Sequence, residues 1–95
     1  MFLVDMQFLR PLEDIDPHIT AHRKHLARHY ATGTLLLGGR KVPRSGGLIL
    51  SRHASLSEVQ AVFDLDPLVQ MGAASYTVTE FQPVMMQEEL RPWFS

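Results

Sequence analysis

Apolar and polar residues alternate at the start of the chain. Phe2, Val4, Met6 and Phe8 are interleaved with Leu3, Asp5 and Gln7, a period-two pattern rich in strand formers that predicts a first strand. Leu9 to Asp14 reads as a connection, and from Asp16 the period lengthens. Asp16 suits an N-cap, Pro17 the first helical position and Gly33 the C′ position, which predicts a helix over Pro17–Thr32. Strand two follows over Thr34–Gly38. Gly39–Gly46 is turn chemistry, and Gly47–Arg52 is strand three, so the two strands form an antiparallel hairpin with a long basic loop. Ser55 and Glu58 fit a capping box. Leu56, Val59, Val62 and Phe63 share one face of a second helix that runs to Leu65. Asp66 and Pro67 restart a short helical turn that ends at Gly72. Ala74–Gln82 is strand four, stopped by Pro83, and a mixed tail closes the sequence.

Strand, helix, strand, strand, helix, strand is the split βαβ order. It predicts an α+β, ferredoxin-like domain over 1–95 with a four-stranded antiparallel sheet and both helices on one face. Leu35–Leu37 and Leu48–Leu50 are unbroken apolar runs, so both faces of the sheet read as buried. Two helices cover only one of them. A second copy packed sheet to sheet is the simplest cover for the other, and the tail from residue 83 can pack on that partner. A homodimer is therefore expected.

Ninety-five residues make one domain that buries roughly 60–65% of its unfolded surface, so a second subunit would add useful burial. Nine Lys and Arg against ten Asp and Glu give no overall charge suited to nucleic acid or an anionic membrane. With no cysteine there is no disulfide framework, thiol nucleophile or thiolate metal site, which fits a reducing, cytoplasmic setting. Asp5 interrupts the apolar N-terminus, so neither a signal peptide nor a membrane span is expected there.

Candidate chemistry is concentrated in the first helix. His18, His22, His25 and His29 are spaced i, i+4, i+7 and i+11 and fall within about 60° on the helical wheel. Ile15, Ile19, Leu26 and Tyr30 form the adjoining apolar face, while Ala21, Lys24 and Arg28 point away. His22 turns furthest toward the apolar centre, which singles it out for a chemical role. A polar border along a core face is the plainer use of such a stripe. Pairs such as His18 with His22, or His25 with His29, have chelating geometry, but no third and fourth ligand is evident, so no metal is assigned. Gly46 and Gly47 are turn residues rather than a phosphate loop, and no cofactor is expected.

Taken together, His22, Gly33, Leu35–Leu37 with Gly39, the Pro43–Gly47 turn, and Asp66 with Pro67 resemble the YciI-like (YCII-related) family along nearly the whole chain. The resemblance implies a dimeric α/β barrel with a site built on His22 and Asp66. The wider dimeric-barrel group includes a muconolactone isomerase and a dehydrochlorinase of a chlorinated hydroxyquinol. Two positions depart from the family pattern. Arg40 stands where many members have proline, and Leu68 stands where an aromatic is usual, a change expected to reshape the pocket wall. An acid–base pair suits an isomerase or lyase, with His22 as the base, Asp66 orienting it, and Arg44 and Arg40 holding a small anionic ring compound. Lys41 reads as a solvated loop residue, and Asp66 doubles as an N-cap before Pro67. The competing expectation is a non-catalytic dimeric module that binds a small ligand or serves only as structure.

Overall fold

The computed structural model describes residues 1–94. Strand β1 (Phe2–Phe8) is central, with β3 (Gly46–Ser51) on one side and β4 (Ala74–Glu80) on the other; β2 (Leu35–Arg40) is the edge beyond β3. Every pairing is antiparallel, in the order β2-β3-β1-β4 of the ferredoxin-like arrangement. Alternation along β1 sends Phe2, Val4 and Met6 into the core, where they meet Ile15, Leu26, Val59, Phe63 and Leu68 from the helical layer. Among the described residues no helix is long and apolar enough to cross a membrane.

The predicted first helix arrives in three pieces and begins earlier than expected. Helix α1 (Leu12–Ile15) is followed by a 3-10 turn over Asp16–His18 and by α2 (Ile19–Ala31). The Asp16 N–H already donates to the Leu12 carbonyl, so Asp16 lies inside a helical segment and is not its N-cap. Pro17 then has no N–H to continue the ladder, which tightens into 3-10 geometry. At the other end the expected stop is found. Gly33 N–H bonds to the Tyr30 carbonyl and Thr34 N–H to the His29 carbonyl, the two bonds of a Schellman motif.

The leucine run of β2 does not lie flat. A bulge between Leu35 and Leu37 pairs Leu35 with Ser51 on the core face and Leu37 with Leu50 on the opposite one. Leu37 is thereby 62% exposed, beside Leu48 at 41% and Leu3 at 37%. In the single chain this second face is open. Lys41 also departs from its solvated reading, because its ammonium reaches Asp5 on β1 at 2.6 Å.

Helix α3 (Leu56–Asp64) starts on Ser55, whose Oγ accepts the Glu58 N–H, while the Glu58 carboxylate takes the Ala54 N–H. Helix α4 (Pro67–Gln70) starts on Asp66. The tail returns through α5 (Arg91–Phe94), with Trp93 lying over the Arg52 guanidinium at 5.9 Å.

Candidate active site

Histidine 22 and aspartate 66 are 44 residues apart in sequence and in direct contact in the fold. Packing of α2 against α4 brings His22 Nδ1 to 2.6 Å from Asp66 Oδ2. The aspartate side chain is fully buried and that of His22 is 15% exposed. Asp66 Oδ1 accepts the Leu68 N–H at 2.9 Å, so one carboxylate caps α4 and orients the imidazole at the same time. A carboxylate can only accept, which places a ring proton on Nδ1, and His22 also lines the adjoining cleft.

That cleft, about 670 Å³, lies between α2 and the β2–β3 hairpin, within the usual size range for small-molecule sites. Gly38 and Gly47 line it from core-facing positions of the hairpin, with Ile49 and Arg40 as the neighbouring side chains. Met6, Phe8, Ile19 and Leu26 supply apolar lining. Arg40 and Arg44 both border the cleft, and Arg44 is held by an ion pair with Asp16 that ties the hairpin loop to the start of the helical layer. These walls come from α2, β1 and the β2–β3 hairpin of one chain.

The site differs from the sequence expectation in two respects. Leu68 does not shape the pocket wall: it is fully buried in the core and absent from the cleft lining. Arg23, which sequence reading passed over, borders the cleft beside His22. Its signal was present in the spacing, since Leu26, Ala27 and Tyr30 follow it at i+3, i+4 and i+7 and line the same cleft. Beyond the cleft, Ser51 is buried in β3, where its Oγ accepts the His53 N–H and lies 2.6 Å from His53 Nδ1.

The rest of the stripe does other work. His25 Nε2 lies 2.7 Å from the Val62 carbonyl, which can only accept, so His25 carries its proton there and pins α2 to α3. His29 meets His25 and His53 at ring separations of 5.9 and 5.8 Å. Among the described residues no group of three or more His, Cys, Asp or Glu is placed to hold a metal ion. Burial lowers the pKa of His29 from 6.5, and the positive charges of His53, His25 and Arg28 lower it further. Burial also lowers that of His53, against a smaller opposing pull from the Glu58 carboxylate.

A base held below its unfolded pKa takes up protons more readily in the unfolded chain. Stability from these two histidines is therefore fully present above pH 6.5 and is lost as the pH falls through 6.5 toward the lower folded values. The urea midpoint is expected to drop between about pH 7.5 and about pH 5.5, and to drop less in a His29→Gln, His53→Gln double variant. Equal pH dependence in the two proteins would remove these rings as the cause.

The sequence profile of the YCII-related domain matches residues 3–82. The chain belongs to the YCII-related domain family. No curated protein matches it. Among solved structures, this YCII-related domain is similar to 5-chloro-2-hydroxyhydroquinone dehydrochlorinase from Burkholderia phenoliruptrix AC1100, determined in complex with 2,5-dihydroxybenzoquinone. The TM-score is 0.71 at 19% identity, covering 85% of this chain and 93% of that one. At that identity the likeness establishes a shared fold.

Proposed function

We propose that this YCII-related domain is an acid–base enzyme of isomerase or lyase type, acting as a homodimer on a small, anionic, oxygen-substituted ring. The single observation that carries this reading is the 2.6 Å contact between His22 Nδ1 and the buried Asp66 carboxylate, made by a histidine that also lines a cleft of ligand size. His22 takes the proton of a ring hydroxyl, and Asp66 stabilises the imidazolium that results. Returning that proton to a ring carbon completes an isomerisation. Where the carbon bears a halide, loss of a second hydroxyl proton and of the halide then completes an elimination and leaves a quinone. Arg40 and Arg44 supply positive charge at the rim for a phenolate or carboxylate, with the Arg44 charge shared with Asp16.

The homodimer uses the face that the helices leave bare, where Leu3, Leu37 and Leu48 lie exposed beside Leu50. The tail from residue 83 reinforces that contact.

The experiment is chloride release from 5-chloro-2-hydroxyhydroquinone, with solvent-deuterium uptake into the unchlorinated hydroxyhydroquinone as its partner assay. Wild-type protein is expected to show one or both, and His22→Ala to lose at least about a hundredfold in rate. A His22→Ala rate equal to wild type would overturn the acid–base reading. Saturable binding of the ring without turnover would favour a non-catalytic ligand-binding module.

A further inference from the structure

The cleft has a second polar end that the chemistry above leaves idle. Tyr30 stands eight residues beyond His22 on α2, about 12 Å along the helix axis, and both side chains border the same cleft. Between them Leu26 and Ala27 present only carbon to it. The Tyr30 phenol reaches across to β2 and settles on Gly38: a Cβ built at that glycine would lie 2.5 Å from Tyr30 Oη. Glycine inside a strand weakens it, so a close approach of this kind is the usual reason to find one there. Burial raises the Tyr30 pKa above its ordinary value, so the hydroxyl keeps its proton at neutral pH and can donate as well as accept.

More than two helical turns separate His22 from Tyr30 along the cleft, so a ring bound beside His22 turns its far oxygen toward Tyr30. Leu26, Met6 and Ile49 border the cleft and offer apolar contact to the ring's faces. Resting on the reading that such a ring binds beside His22, we infer that Tyr30 is a specificity residue. Its hydroxyl, positioned by Gly38, hydrogen-bonds the ring oxygen furthest from His22, so the cleft selects rings oxygenated at opposite positions over rings oxygenated at one end.

The test compares two probes by calorimetry on the intact chain. 2,5-Dihydroxybenzoquinone has oxygens at both ends, and catechol has them at one. Tyr30→Phe keeps the ring and removes the hydroxyl; it is expected to weaken the two-ended probe about tenfold and to change catechol by less than about twofold. Gly38→Ala displaces the hydroxyl and should reproduce that loss, yet add nothing when combined with Tyr30→Phe. Unchanged binding of 2,5-dihydroxybenzoquinone in Tyr30→Phe, or equal losses for both probes, overturns the assignment of Tyr30 and leaves the His22–Asp66 reading standing. Binding of the two-ended probe that needs Tyr30, in a protein whose His22→Ala variant turns over as fast as wild type, supports the assignment and overturns the acid–base reading instead. Failure of wild-type protein to bind either probe at millimolar concentration overturns both.

Discussion

Asp66→Asn is expected to lower turnover by about a thousandfold or more while leaving the fold in place. The reason lies in which atom must face which donor. Asp66 Oδ1 accepts the Leu68 N–H, and Oδ2 faces His22 Nδ1. An asparagine has the same shape but only one oxygen, and Leu68 N–H claims it, because the opposite rotamer sets an NH2 against a backbone N–H inside the core. The amide nitrogen is then left facing His22. Being a donor, it forces Nδ1 to accept and moves the ring proton to Nε2, the nitrogen that has to be free to take a proton from the substrate. Freezing a catalytic histidine in the wrong tautomer costs about 10³- to 10⁴-fold elsewhere. Because the helix cap is retained, the urea midpoint should fall only slightly. Asp66→Ala differs: it loses the cap, the bond to His22 and buried volume together, about 3 kcal/mol of stability. An Asp66→Asn protein that keeps more than a tenth of wild-type turnover would show that the carboxylate does not set the ring's tautomer.

The two halves of this site were legible in the sequence to different degrees. His22 stood out because a helical wheel turns position into direction, and the half-buried stripe of His18, His22, His25 and His29 is what the structure contains. Asp66 by its own spacing showed only a local role, an aspartate before proline; the family resemblance paired it with His22, and the packing of α4 on α2 is what brings the two into contact across 44 residues. Local pattern misled where a distant contact overruled it. Asp16 had every mark of an N-cap, but the helix had already begun at Leu12, leaving its carboxylate for Arg44. Lys41 looked solvated because Asp5, its partner, is 36 positions earlier. The bulge at Leu35–Leu37 redirects a leucine through backbone geometry that alternation along one strand does not encode. Gly38 read simply as the end of a strand, because the Tyr30 hydroxyl that comes to rest on it arrives from another element.

Leu48→Lys is expected to convert a dimer into a monomer without unfolding the chain. Leu48 lies on the open face of the sheet, 41% exposed, with Leu3 and Leu37 also presented there. Around a two-fold axis the same patch meets its own copy, so one substitution places two ammonium groups in one interface. Taking those charges out of water without partners costs several kcal/mol, enough to weaken association at least a hundredfold. The isolated chain bears no such cost. Asp5, directly opposite position 48 across the β1–β3 pair, already holds Lys41, so the new lysine gains no partner there and in the monomer simply stays in water. Sedimentation velocity should therefore give a dimer for the wild type and a folded monomer for the variant. The wild-type unfolding midpoint should rise with protein concentration, and that of the variant should not. A wild-type protein that sediments as a monomer at tens of micromolar, or a variant that remains dimeric, would mean that the leucine face is not where two copies meet. Because the His22 cleft is walled by a single chain on the opposite side of the sheet, monomeric Leu48→Lys protein should still bind 2,5-dihydroxybenzoquinone, which separates assembly from chemistry in the same preparation.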